Sequence, residues 1–389
     1  MRNQRGIALV ITLLVVALLT IIVVEFTYSA EVDAHMARNA LNALQASMLA
    51  RSGVNLGEAF LLHDDDPLVD SYLEDWGNVD LLNSQLILPD NMRLRVQIVD
   101  EGGKLNINLT RPRSKQECLI AQNPNPNNQQ ATQLFQAWTT ALGNLLVGRG
   151  ASPDIADAVT LYWSQLCQIA FPQTLPGQPT PGATPYPGSA VGTPTPGGLS
   201  SNLFTWDFPS LDDASVIPGL TPSVIRRSRD VLTALTYNSQ WTVNANTAPA
   251  EVLYAIIQDA GAVDNIISMR QEQGLKPNDL ASLLAGLNTQ DPASKRARSM
   301  LGATSKFFLI RASAIVNPNP ITGKGGISRS ASMLVRRDPR PGVPQNAPAG
   351  VLRWTLIQLD WQKEGGAGLF QPTPGAEDLP IGGLPGIGG

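Results

Sequence analysis

The strongest pattern in the chain lies at its start. Ile7 to Val24 (IALVITLLVVALLTIIVV) is a run of 18 residues with no charge, Pro or Gly. As a helix rising 1.5 Å per residue, it spans ~27 Å, close to the hydrocarbon thickness of a bilayer. The apolar pattern then continues on one face. Val32, Met36, Ala40, Leu44 and Met48 recur every four residues, with Leu41 and Leu49 beside them, which is an amphipathic stripe. No Pro precedes Pro67, and between Gly6 and Pro67 the only glycines are Gly53 and Gly57. The pattern predicts a single helix of about 55 residues within 7–66, with 7–24 in the membrane. His63-Asp64-Asp65-Asp66-Pro67 ends it.

Beyond Pro67 the period changes. Met92–Val99 alternates apolar and polar residues, Asp100-Glu-Gly-Gly103 is a turn signal, and Lys104–Leu109 alternates again. These segments predict a β-hairpin. From about Arg111 to Gly302 the pattern is helical. Ser152-Pro153-Asp154 starts one helix with Ile155, Val159 and Tyr162 or Trp163 inward. A second is predicted from Pro222 through Leu235. Thr247-Ala-Pro249 opens a third, and 266–270 and 280–284 are further pieces. Strands return at Lys306–Val316, Gly325–Val335 and Leu352–Trp361, around a Pro- and Gly-rich loop at 317–326. Strands, then helices, then strands imply an α+β fold. A sheet domain of 67–110 and 303–364 is interrupted by an inserted α-domain, 111–302.

Composition sharpens this organisation. The chain has 34 Gly and 30 Pro, but they are concentrated. Residues 172–198 hold eight Pro and six Gly, and 365–389 hold nine Gly and four Pro. The first stretch reads as an extended linker and the second as a disordered tail. The net charge of −4 argues against a chain that coats nucleic acid. Two Cys and two His leave little material for zinc clusters or His-based catalysis. Arg2 and Arg5 precede the apolar run, and Lys/Arg does not recur until Arg38. The basic flank therefore stays cytoplasmic and the remainder is exported. A secretory signal would carry a shorter apolar region and a small-residue cleavage site.

A short basic leader ending in Gly6, followed at once by an apolar helix that continues outward, resembles the type IV prepilin family. The resemblance implies cleavage between Gly6 and Ile7 by a prepilin peptidase and N-methylation of Ile7. Loss of the 1–6 leader would remove Arg2 and Arg5 and take the net charge from −4 to −6. An uncleaved single-pass anchor is the alternative. Most members carry Glu at the fifth mature residue, where this chain has Ile11. An unpaired carboxylate in lipid is costly, and a subunit at a filament tip has no subunit ahead to offer its amine. With Glu74-Asp-Trp-Gly77, Leu211–Thr221 and Val243-Asn-Ala-Asn-Thr-Ala-Pro-Ala-Glu-Val-Leu253, the chain resembles the minor pseudopilin K of type II secretion systems. That resemblance implies a pseudopilin fold with a helix-hairpin-helix or SAM-like insertion. It also implies an inner-membrane, single-pass subunit with its C-terminal domain on the periplasmic side. Its partners would be the minor pseudopilins I and J, the major pseudopilin and membrane lipid, and its role initiation of pseudopilus assembly in protein export.

No G-x-S-x-G element accompanies His35 or His63, so no catalytic residue and no enzyme is expected. Thr322-Gly-Lys-Gly-Gly departs from the phosphate-loop spacing and reads as a turn. His63-Asp64-Asp65-Asp66 reads as a solvated helix end rather than a cation site. Some pseudopilin K proteins bind calcium, but the 317–330 loop has no acid, and Asp338 with Asp360 falls short of the six to eight oxygens calcium takes. No cofactor is therefore expected, and the metal question stays open. Cys118 and Cys167, both exported, are a candidate disulfide. Ile217-Pro-Gly-Leu-Thr-Pro222 with Arg226, Arg227 and Arg229, and Asn246–Pro249, resemble helix-hairpin-helix elements that present amides to phosphates. Asp207, Asp212, Asp213 and Asp230 blunt that patch. A DNA-uptake pilin and a plain membrane-anchored scaffold remain the alternatives.

Overall fold

The long apolar pattern folds as α1 (Gln4–Leu62), one helix of 59 residues. The computed structural model describes residues 4–64, 66–84, 87–112, 117–118, 129–170, 207–236, 242–287, 297–318, 325–344 and 351–364. The remaining helices are α2 (Val79–Ser84), α3 (Gln129–Gly148), α4 (Ile155–Ala170), α5 (Pro222–Arg227), α6 (Ala250–Ile257), α7 (Ala260–Glu272) and α8 (Pro277–Ala285). The strands are β1 (Met92–Asp100), β2 (Leu105–Asn106), β3 (Leu232–Thr233), β4 (Val243–Asn244), β5 (Leu301–Gly302), β6 (Phe307–Val316), β7 (Ile327–Pro339) and β8 (Trp354–Glu364). The linker 172–198, the tail 365–389 and Thr322–Lys324 lie outside the described residues.

Four strands form an antiparallel sheet in the order β1-β6-β7-β8. Period-2 alternation turns one face of it onto the outer part of α1. Val96, Ile98, Phe308, Ile310, Ala312, Ala331, Met333 and Val335 meet Ala50, Val54 and Leu61 of the helix. The helix lies close because it is small there. A Cβ at Gly57 would stand 2.5 Å from Ile310 Cγ2, and one at Gly53 would stand 2.8 Å from Ala312 Cβ. The free edge of β1 is covered by α2, where Asn83 stands in for a strand. Its side-chain amide donates to the Val96 carbonyl (3.3 Å) and its oxygen accepts from the Val96 N–H (2.9 Å).

A second core lies within the helical insertion, built on α3, α4, α6 and α7. Leu105, Ile107 and Leu109 belong to it, which corrects the expected hairpin. β1 pairs with β6 over its whole length, and Glu101–Gly103 is a 3₁₀ turn that takes the chain out of the sheet. The alternating residues that follow serve the insertion. The apolar members fill its core, and the buried Asn106 and Asn108 side chains tie Leu235 and Phe208 to it. Residues 105–110, expected in the sheet domain, pack with the helices instead. The helix expected from Pro222 to Leu235 also stops early, at Arg227. Arg149 donates to the Arg227 carbonyl (2.6 Å), capping α5, and Leu232–Thr233 then pairs in parallel with Leu105–Asn106. Cys118 and Cys167 form a disulfide with Cα atoms 5.3 Å apart. Arg111 pairs with Asp207.

Gly57→Ala tests the close approach of helix and sheet. We expect it to destabilise the full-length protein by about 1–3 kcal/mol through overpacking against Ile310, read as a fall in melting temperature. An unchanged melting temperature would mean that the helix does not rest on β6.

Candidate functional site

Two features of α1 and its surroundings can carry function: its bare lower half and the polar junction at its upper end. From Leu9 to Val24 the large apolar side chains are exposed, and the helix is long and apolar enough to cross a membrane. Ile11 lies in this section. Gly6 and Ile7 lie within α1. Above the apolar run Val32, Met36, Leu41, Leu44 and Met48 remain exposed. The sheet covers the helix from about Ala46 upward. A bare helix of this kind can associate with other helices in lipid and above it.

At the upper end of α1 the structure overturns the reading of a solvated acidic terminus. Arg337, on β7, is buried, and its guanidinium binds Asp64 through Nη1 and Asp70 through Nη2. It is held between two rings, 4.7 Å from the Phe308 centroid and 4.3 Å from that of Trp354. The Trp354 indole N–H donates to the Asp64 carbonyl (3.0 Å). Asp65 lies outside the described residues. Asp66 accepts from the Leu68 N–H (2.9 Å), and His63 Nδ1 lies 2.7 Å from the Ala59 carbonyl.

The network runs on from Asp70 into the insertion. Asp70 accepts from the Ser305 N–H (2.6 Å), and the Ser305 hydroxyl donates to Asp100 (2.6 Å). Asp100 is fully buried and also accepts from Thr247 Oγ1 (2.5 Å), Asn244 Nδ2 (2.9 Å) and the Gly102 N–H (2.7 Å). Asn244 Nδ2 donates to the Asp70 carbonyl as well (2.8 Å). Asn246 bridges the Leu275 carbonyl (3.0 Å) and N–H (2.7 Å). The Asn-x-Asn-Thr-Ala-Pro run is thus a junction that joins the insertion to the sheet through Asp100 and to the helix end through Asp70.

Burial pushes Asp64 and Asp70 up to about 6 against the pull of Arg337. Glu74 is raised further, to about 8, by burial and then by repulsion from Asp64. It accepts from the Ser71 N–H (2.9 Å) and the Trp76 indole N–H (2.8 Å). Burial raises Asp100 too, opposed by its hydroxyl and amide donors. Oxygens of Asp64, Asp70 and Glu74 come within 4.8 Å of one another. Such a set suits a cation, and here Arg337 supplies the positive charge. A cleft of about 400 Å³ opens beside it, lined by Phe60, His63, Asp66, Glu74, Asp75 and Trp76.

The remaining candidates fall apart in space. His35 sits on exposed helix 3.9 Å from Glu31. Asp338 pairs with Arg336 at 2.9 Å, and the Asp360 side chain lies outside what is described. In the hairpin region Arg229 pairs with Asp212 (2.7 Å), Arg149 with Asp230 and Glu251 (both 2.7 Å), and Arg227 donates to the Arg149 carbonyl (2.9 Å). Asp213 caps Ser210. Arg226 stands exposed. These cations are largely spent within the fold.

Residues 243–302 match the family model of the type II secretion system (T2SS), protein K. This chain is similar to the minor pseudopilin K of type II secretion. The matched protein K segment begins at β4 and holds Asn244, Asn246 and Thr247, the residues that form the junction. A solved structure, the GspK–GspI–GspJ complex of the type 2 secretion system from enterotoxigenic Escherichia coli, matches at 15% identity with a TM-score of 0.45, over 85% of this chain and 100% of that one. No curated protein matches the sequence.

Sequence reasoning missed Arg337, Asp70 and Asp100. A signal existed for two of them. Arg337 continues the inward series Ala331, Met333, Val335, and Asp100 continues Val96, Ile98.

The junction makes stability depend on pH. The folded state holds a proton on Glu74 between its ordinary value of 4.5 and about 8. Its contribution is therefore complete below pH 4.5 and is lost as pH rises through 8. Glu74→Gln keeps the acceptor oxygen and removes the titration. We expect it to stabilise the protein at pH 8 by about 2 kcal/mol and to be near neutral at pH 5, measured by urea unfolding at both values. An equal effect at both would contradict the assignment.

Proposed function

We propose that the chain is a pseudopilin of the K type that acts mechanically, as a subunit of a type II secretion pseudopilus rather than as an enzyme. In this reading prepilin peptidase cleaves between Gly6 and Ile7, and Ile7 is N-methylated. The apolar helix anchors the subunit in the inner membrane with its head on the periplasmic side. The observation that carries the reading is the combination of a bare membrane-length helix with a protein K segment joined to the head above it. The absent carboxylate at Ile11 and the bulky insertion suit the filament tip, where no subunit lies ahead. There it initiates assembly with the minor pseudopilins I and J and then meets the major pseudopilin.

Mass spectrometry of the protein purified from membranes tests this. We expect a mature N-terminus at methylated Ile7, and retention of residues 1–6 in a Gly6→Leu variant with loss of secretion. A native chain that keeps Met1 would overturn the reading in favour of a plain anchor.

A further inference from the structure

The sheet has a second face, turned away from α1, and it is basic near one end. Leu94, Val96 and Ile98 point toward the helix side, so Arg93, Arg95 and Gln97 point away from it. On β6 the outward residues are Arg311, Ser313 and Ile315. The register sets Arg95 opposite Ser313 and Gln97 opposite Arg311, which makes Arg95 and Arg311 diagonal neighbours. Positions related in this way lie about 7 Å apart. Arg93 and Arg95 are exposed and Arg311 is half-buried. Ser328 and Ser330 extend the same face across β7. Arg93 donates to the carbonyls of Asp90 (3.1 Å) and Met92 (2.9 Å), so backbone rather than a carboxylate orients it. On the same face the register sets Glu364 of β8 opposite Ser330, with Ser330 and Ser313 between it and Arg95. A patch of three arginines stands out in a chain of net charge −4.

Its position along the molecule selects the partner. Gly53 of α1 faces Leu94, Val96 and Ala312, Gly57 faces Ile310, and Asp64 meets Arg337. Rising along α1 therefore means descending β6 from Val316 toward Phe307, so Arg93 and Arg95 occupy the membrane-side half of the sheet and Arg311 its middle. Gly53 is nevertheless about 40 Å above Val24 along the helix. That is several Debye lengths from lipid headgroups. We propose that Arg93, Arg95 and Arg311 form a docking face for an acidic patch on the head of a neighbouring pilin-like subunit lying below this one. The inference rests on the assembly reading given above. Such a face would set orientation and speed of encounter more than final affinity.

Site-specific photocrosslinking in membranes tests it, with the full-length chain co-expressed with the other pilin-like subunits of its secretion system. A photoreactive phenylalanine analogue replaces Asp90, beside the arginines, or Val16, on the bare helix. From position 90 we expect capture of an Asp/Glu-rich segment of a different pilin-like subunit. The yield should fall about tenfold in the triple variant R93E/R95E/R311E and on raising salt with the arginines intact, while capture from position 16 persists. Capture from 16 without an acidic segment from 90 would overturn the docking face and leave the assembly reading standing. Capture of lipid or of a second copy of this chain from 90 would do the same. No subunit captured from either position would overturn both.

Discussion

A buried arginine needs its charge compensated within the fold, and in this protein that requirement organises the head. Arg337 lies on an inward position of the sheet, and Asp64 from the helix end and Asp70 from the following loop come onto it. Asp70 in turn binds Ser305, Ser305 binds Asp100, and Asp100 binds Asn244 and Thr247 of the insertion. One chain of polar contacts thus reaches from the end of α1 to the protein K segment. A buried pair of this kind adds little net stability over a hydrophobic replacement of the same shape, but removing one partner costs about 3–5 kcal/mol. Its effect is to fix a single arrangement of helix, sheet and insertion.

That fixity bears on the mechanical role proposed above. A push on the apolar segment reaches the insertion only through parts that do not hinge. α1 is continuous over 59 residues without an internal Pro. Its Gly53 and Gly57 let it lie against β6. The network then ties its end to the sheet and the sheet to the insertion.

Local periodicity made much of this legible. The helix of 18 apolar residues plus a stripe, and the strands at 306–316, 325–335 and 352–361, follow from patterns that depend on residues close in sequence. What was not legible depended on distant partners. Lys104–Leu109 alternates like a strand, yet β6, some 200 residues away, already occupies the inner edge of β1. Pro222–Leu235 has helical residues throughout, but Arg149 from another helix caps it at Arg227. Asp64 looked solvated because its neighbours in sequence are acidic, while the arginine that buries it lies 273 residues on. A charge on the inward face of a strand, as at Arg337 and Asp100, is the sequence signal that such a partner exists.

The central claim is that helix, sheet and insertion are held as one body by the Arg337–Asp70–Asp100 network. Hydrogen exchange on the full-length protein, native against Arg337→Met, tests it most directly. The account predicts that protection falls about tenfold or more together at Leu61–Asp64, at Val99–Asp100 and at Asn244–Thr247. Loss of protection confined to β7 and β8, with Asn244–Thr247 unchanged, would contradict it.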